Sequence, residues 1–504
     1  MKRTLTFALL VACSEGPPAA EGGSSSTAAA STESSSSSGT SDTSSGAVDE
    51  SSSSGGRMCE GPFMFGPPTA WERYGLDANN SRYNEAERAI DPSSVACLQP
   101  RWQVDDLAGV TSTPAVVGGV VYFGDWGGLV HARDVVDGTP RWTTDVAAQV
   151  NDSPLVTTDR VFVGDDDGWL HALDRETGEV IWRVELDAHP NAGIFSSPIL
   201  AGDRLVIGVA SIELSETLDD YTFRGSVVAL DPDDGTELWR RYTTTDDAQA
   251  GAGVSVWSSA AYDEERAILY IGTGNTYEPP ASPLSDSVLA LELATGAIVW
   301  SRQFTEDDVY TIFMQQPQGP DADIGAAPNL FTIGDRDVLG VGDKAGVYAV
   351  LDRDDGETVW AVQLTEGSHL GGVMTTAAVG DGTIWVASNE WATSIFEFDD
   401  PANHSSMFAL SAEDGTQLWQ RPLPFPAFGA TTWAGGVVFQ GTIDGTVHAL
   451  DAATGVELWS VMPGGDIGGG FSVVDGTLYV GHGFWFFTEP TMNHGGFVAY
   501  GLPG

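Results

Sequence analysis

Apolar and polar positions alternate along this chain in a phrase that recurs. Over 168–182 it reads Gly-Trp-Leu-His-Ala-Leu-Asp-Arg-Glu-Thr-Gly-Glu-Val-Ile-Trp. Apolar residues lead into a polar turn, and Val180-Ile181-Trp182 lead out. Period-two alternation on both sides of a turn with a glycine for positive φ predicts a β-hairpin. The phrase returns at 445–459, and looser copies end at Trp142, Trp239, Trp300, Trp360 and Trp419. An upstream half, Ser-x-Pro-x-Val followed by Val-Tyr-Phe-Gly in varied form, adds two more strands; Ser112–Gly124, Ser153–Gly164 and Ser196–Gly208 carry it. Four short strands per repeat make one blade of a β-propeller.

Counting the repeat predicts the fold class. Eight tryptophans, Trp102, Trp142, Trp182, Trp239, Trp300, Trp360, Trp419 and Trp459, close successive units. A large ring at the same place in every unit predicts a wedge between neighbouring blades. The last strand, Gly496–Tyr500, lacks a tryptophan after it, and Leu98–Val104 lacks a blade before it. Joined, the two complete one blade and remove both sheet edges. The expectation is an all-β, eight-bladed propeller of four-stranded antiparallel blades over 98–504, closed by pairing its terminal strands. The tryptophan spacings are 40, 40, 57, 61, 60, 59 and 40 residues. Units of 40 hold only the strands, so the long units between Trp182 and Trp419 carry added loops, where binding groups sit on rigid scaffolds.

The start of the chain reads differently. Met1-Lys2-Arg3 and the apolar run Leu5–Ala12 suggest an export signal over 1–12. Leu10-Val11-Ala12-Cys13 resembles a bacterial lipoprotein cleavage box, with Cys13 the acylated residue. Residues 13–57 are rich in Ser, Gly, Thr and Ala, cannot pack a core, and read as a flexible tether. In the segment 58–97, Cys59 and Cys97 read as a disulfide in an exported protein.

Charge narrows the partners. With 22 basic and 71 acidic residues, the net charge is −49. A basic footprint is absent, which excludes nucleic acid as a partner. Only Lys2 and Lys344 are lysines, so a mature chain would carry Lys344 alone.

The phrase Ala-x-Asp-x-x-Thr-Gly-x-x-x-Trp resembles the tryptophan-docking repeat of quinoprotein propellers, which bind pyrroloquinoline quinone (PQQ) on the propeller axis. Further stretches resemble the polyvinyl-alcohol-dehydrogenase-like branch. They are Trp71–Asp77 with Asn80 and Arg82, Gly119–Gly128, Val256–Ser259, Leu269–Asn275 and Gly319–Gly325. In such dehydrogenases a Ca²⁺ ion sits against the quinone, held by a Glu, an Asn and often the catalytic Asp. By this resemblance Glu213, ending Ile207–Glu213, is the candidate metal-ligand Glu, and Asn275, ending Gly272-Thr-Gly-Asn, the ligand Asn. Trp257 fits the ring on which the quinone stacks, and Lys344 the basic residue at the quinone oxygens. Asp323 is the expected base, with Asp321 the alternative. Hard oxygen donors suit Ca²⁺, and a carboxylate suits removal of an alcohol proton.

Two family features are replaced. The adjacent Cys-Cys pair is missing, and Val309-Tyr310-Thr311 stands where a Trp-Asp dipeptide carries the base in quinoprotein alcohol dehydrogenases. No Cys-x-x-Cys-His attaches a haem. With the leader and the lipoprotein-like box, the resemblance implies an exported, lipid-anchored enzyme of the bacterial envelope, on the periplasmic side and in the outer membrane, or at the cell surface. It would oxidise a small or polymeric alcohol with PQQ and Ca²⁺. Electrons would pass to a separate acceptor, such as a cytochrome c or a membrane quinone. The competing expectation is a non-catalytic envelope scaffold, because an outer-membrane assembly lipoprotein shares the repeat.

Overall fold

The computed structural model describes residues 59, 61, 63–244, 251–314, 318–393, 400–483 and 495–503. The leader, Cys13 and the tether lie outside the described residues. Eight antiparallel sheets follow one another in sequence, each with four nested strands. In blade 1 these are Ala115–Val117, Val120–Gly124, Leu129–Asp134 and Pro140–Asp145, from the channel outward. Val, Ile, Phe and Tyr fill the two inner strands and face neighbouring blades on both sides, so the strands Val120–Gly124 and Val437–Gly441 are buried throughout. Among the described residues the only helical turns are Val95–Cys97 and Glu213–Ser215, and no helix is long and apolar enough to cross a membrane.

The ring closes between the two ends of the propeller sequence. Gln99–Leu107 forms the outermost strand of blade 8, antiparallel to Gly495–Gly501, with Trp102 opposite Ala499. No blade is left with an unpaired edge at the junction.

The tryptophans wedge between blades, as their period predicts. Each indole N–H from Trp102 to Trp419 donates to a backbone carbonyl of the next blade. Trp142 reaches Arg175 O at 2.9 Å, Trp300 reaches Arg353 O at 3.0 Å, and Trp419 reaches Ala452 O at 3.0 Å. Below each ring lies the glycine of the next blade's turn. At Gly356 φ is 74°, and a Cβ would sit 2.7 Å from Trp300 Cε3. This glycine therefore serves both a left-handed turn and a close approach. Gly382 has a similar φ of 72° but open space around its Cβ direction. Gly382→Ala is expected to cost only the backbone term, about 1–2 kcal/mol, and Gly356→Ala clearly more. Thermal unfolding of the two variants checks this; equal losses would show that the indole contact contributes nothing.

One further segment ties the blades together. Residues 71–84 run once around the channel along the inner edges of the first strands. Trp71 exchanges hydrogen bonds with Val116 of blade 1 (2.9 and 2.7 Å), and Glu72 O accepts from Val156 of blade 2 (2.8 Å). Arg73 reaches Leu200 O of blade 3 at 3.5 Å. The carbonyls of Ala78, Asn79, Ser81 and Arg82 accept from Tyr262, Leu330, Val379 and Trp433, in blades 4 to 7. Asn84 Nδ2 donates to Val473 O of blade 8 at 2.7 Å. Every blade is touched, in order. A disulfide between Cys59 and Cys97 joins the flanks of this belt.

Arg82 is the belt's deepest charge, with no solvent exposure. Its guanidinium donates to Thr431 O (2.7 Å), Tyr74 O, Thr432 Oγ1 (3.0 Å) and Phe471 O (3.3 Å). The rings of Trp71 and Tyr74 flank it at 5.5 and 4.9 Å. Among the described residues no carboxylate pairs with it, and burial lowers its pKa to about 10.

Candidate functional site

The belt occupies the channel beside the turns that join first and second strands. The long loops of blades 3 to 6 gather at the other end, where second strands finish and first strands begin. Strand Arg204–Ser211 runs into the single helical turn that starts at Glu213. The Glu213 carboxylate is buried and accepts the N–H groups of Thr222 (3.0 Å) and Phe223 (2.9 Å). His189 Nε2 lies 3.3 Å from its Oε1. In blade 4, Asn275 follows strand Ile268–Gly272. Its amide nitrogen donates to Thr276 O (2.8 Å) and Tyr310 O (2.7 Å), which leaves Oδ1 unspent.

Lys344 follows strand Arg336–Gly342 in blade 5 and is 7% exposed, so it is no surface lysine. Its Nζ lies 2.9 Å from Asp321 Oδ1 and 2.9 Å from Asp323 Oδ2. Asp323 Oδ1 accepts the backbone N–H of Asn275 at 2.6 Å, so one carboxylate bridges Lys344 and Asn275. Asp308, also buried, accepts the N–H groups of Asp321 (3.3 Å) and Ala322 (2.7 Å) and so pins this segment. Trp257 is half-buried, with Lys344 Nζ 5.8 Å from its ring centroid. Gly325 makes room for that ring, since a Cβ there would fall 1.7 Å from Trp257 Cη2. The Lys344, Asp321, Asp323, Asn275 and Trp257 positions thus form one cluster. Glu213 joins it through backbone, as Ile312 N–H donates to Leu214 O at 3.0 Å two residues after Tyr310.

The electrostatics favour a cation at its centre. Burial opposes the Lys344 charge, but Asp321 and Asp323 outweigh it and raise its pKa beyond the ordinary lysine range. Burial pushes the Asp321 carboxyl up to about 8 against the pull of Lys344, and the charge of Asp323 adds to the rise. Asp286, buried nearby, is also pushed well above the usual carboxylate range, by burial first and then by Asp308 and Asp323. Among the described residues no group of three or more His, Cys, Asp or Glu side chains is placed to hold a metal. A metal here would rely on mixed oxygen donors, and Asn275 Oδ1 is the free one.

These raised carboxyls set a pH dependence. Burial also lifts Asp166 to about 8 and Asp343 to about 7. Between the unfolded value of 3.8 and those values the folded chain keeps protons that the unfolded chain has lost. Stability therefore falls as pH rises through that window. The melting temperature is expected to be higher at pH 5 than at pH 8, by about 5 °C or more. Calorimetry at the two values checks it, and an equal or higher value at pH 8 would contradict burial of these groups as acids.

Sequence comparison supplies the family. Residues 93–247 and 343–483, more than half of the chain, match the family described as outer membrane protein assembly factor BamB, a PQQ-repeat family. Residues 189–369 match the glucose/ethanol/alcohol dehydrogenase β-propeller domain. This chain belongs to the PQQ-repeat β-propellers. Among relatives of this PQQ-repeat propeller, a polyvinylalcohol dehydrogenase of Pseudomonas sp is 32% identical over 310 residues, covering 54% of this chain and 48% of that protein. One from Sphingopyxis sp. (strain 113P3) is 33% identical over 275 residues, covering 48% and 42%. The chain therefore spans about half the length of these relatives. The solved quinohemoprotein alcohol dehydrogenase ADHIIG of Pseudomonas putida HK5 superposes with a TM-score of 0.74. It covers 86% of this chain and 80% of its own at 22% identity, a likeness of fold.

Residues outside the predicted set also line this cluster. Tyr310 is buried and anchors Asn275 through its carbonyl. Its ring lies parallel to that of His369, centroids 6.5 Å apart and planes 10° apart. The sequence held a signal for His369. His131, His171 and His448 recur inside the repeat and pair with Asp125, Asp165 and Glu457. His369 falls outside the phrase, so the scaffold gives no reason for it. Asp308 carries no such mark; it is one of many aspartates in polar turns.

Proposed function

We propose that this PQQ-repeat propeller is an exported quinoprotein dehydrogenase that oxidises a secondary alcohol, small or polymeric. The carrying observation is the buried Lys344 held between Asp321 and Asp323, with Asn275 on the same Asp323. The family matches support the enzymatic reading over a scaffold. The assembly-factor match skips 248–342, where Trp257, Asn275, Asp321 and Asp323 lie, whereas the dehydrogenase match spans every candidate from Glu213 to Lys344. The names of the two polyvinylalcohol dehydrogenase relatives point to the substrate, an alcohol with hydroxyls along a carbon chain.

The residues fit the cofactors chemically. Trp257 offers a half-exposed face for a planar ring, and Lys344 a cation beside it. Glu213, Asn275 and Asp323 offer hard oxygens to Ca²⁺, Asn275 Oδ1 being unspent. Bound PQQ would supply the two-electron acceptor. The chain's own work is positional and protonic. With PQQ bound, Asp323 Oδ2 would take the proton of the alcohol hydroxyl, with Lys344 beside it. Lys344 sets a fixed positive charge where negative charge develops. Asp308 and Tyr310 hold the base and Asn275 in place. Electrons leave to a separate acceptor, such as a cytochrome c or a membrane quinone. The Cys59–Cys97 disulfide supports export, and acylation at Cys13 would anchor the chain.

Reconstitution tests this reading. The purified chain is titrated with PQQ and Ca²⁺, and dye reduction is followed with secondary alcohols. Saturable binding at micromolar quinone and alcohol-dependent turnover are expected; absence of binding would refute the proposal and favour the scaffold.

A further inference from the structure

We infer that His369 is the substrate-recognition residue of this pocket, hydrogen-bonding a second hydroxyl two carbons from the one oxidised. The inference rests on the dehydrogenase reading and adds to it a preference for 1,3-diols over simple secondary alcohols.

The first observation is an unmet hydrogen bond. His369 Nε2 is buried and has no hydrogen-bond partner among the described residues. A buried polar atom without a partner is costly, and a site that keeps one invites a ligand to complete it. The second observation is place. Ser368 N–H donates to Lys344 O at 3.2 Å, and Val373 N–H to Asp343 O at 2.8 Å, so the His369 loop is clamped to the Lys344 turn. Gly372, with φ of 69°, presses so closely that a Cβ would lie 2.4 Å from Lys344 O. The imidazole itself lies parallel to Tyr310, the residue that anchors Asn275. His369 thus flanks the proposed reaction centre on the blade 6 side, on a loop with little freedom to turn away.

The chemistry selects the ligand. Burial, and then the charge of Lys344, lower the imidazole's pKa, so the ring is neutral near pH 7. A neutral imidazole nitrogen is a donor or an acceptor according to its tautomer, and a hydroxyl satisfies either. An anion would instead be drawn to Lys344. In polyvinyl alcohol every second carbon bears a hydroxyl, so the neighbour of the reacting group lies a few ångströms along the chain. A repeating 1,3-diol can therefore meet Asp323 with one hydroxyl and His369 with the next. A site built to bond a hydroxyl discriminates strongly against an analogue that lacks it.

The test uses the full chain reconstituted with PQQ and Ca²⁺, with pentane-2,4-diol and pentan-2-ol as substrates. Wild type is expected to favour the diol in kcat/KM, mainly through KM. His369→Phe keeps an aromatic ring beside Tyr310 and removes the nitrogens; the diol-to-monool ratio should fall about tenfold. His369→Gln, which retains a polar group, should restore part of the ratio. Quinone binding is followed in parallel by tryptophan fluorescence. A ratio unchanged in His369→Phe overturns the inference while leaving the dehydrogenase reading intact, as does a wild type without diol preference. Failure of the wild type to bind quinone overturns both.

Discussion

Replacing Lys344 with methionine is expected to abolish measurable quinone binding and to destabilise the fold by about 3–5 kcal/mol. Methionine keeps the length of the side chain and removes its charge. Asp321 and Asp323, buried at 3% and 6% exposure, then face each other without a cation. Breaking one partner out of a buried ion cluster leaves charge that water cannot reach, which is the costly case. Two effects are separable in a double variant. Adding Asp323→Asn removes the carboxylate left beside the protonated Asp321, so stability should return in part while quinone affinity stays lost. Calorimetry and quinone titration of both variants measure this. Full stability in Lys344→Met would show that no charge is left stranded in the cluster, and full affinity would remove the lysine from the site.

The second large effect lies far from that pocket. Arg82→Met should destabilise the propeller by about 3–5 kcal/mol and expose the belt to protease. The substitution preserves the apolar stem but strands the carbonyls of Tyr74, in the belt, and Thr431, in blade 7, while Phe471 O of blade 8 keeps only the Thr432 hydroxyl. Each buried acceptor left without a donor costs about 1–3 kcal/mol. Limited proteolysis and thermal unfolding report the outcome. A variant with wild-type melting and an intact belt would mean that these carbonyls find other donors.

The fold was legible because it is periodic. A tryptophan and a glycine recur in each unit at positions where the three-dimensional contact is between those same two residue types, as at Trp300 and Gly356. Ring closure was legible for the same reason, since Leu98–Val104 and Gly496–Tyr500 are each half of a known unit. The pocket was legible only where the family resemblance supplied a motif or composition made a residue rare. Lys344 stood out as the sole lysine after the leader. That it pairs with both candidate bases depends on the backbone path from Asp308 to Asp323, which has no period. The belt was read as a motif but not as a circuit. Its contacts reach up to 389 residues along the chain, and no local pattern encodes them.

Those long reaches bear on the order in which the molecule can assemble. Synthesis delivers the belt before any blade, yet Asn84 finds its partner only when Val473 has emerged, and Gln99 pairs with Gly501 later still. Early blades can form as hairpins, but the guanidinium of Arg82 must remain hydrated until blades 7 and 8 supply its carbonyls. Its burial therefore marks completion of the ring. A product truncated before blade 8 would hold a stranded cation in an open ring, an incomplete species that a protease can tell from the finished one.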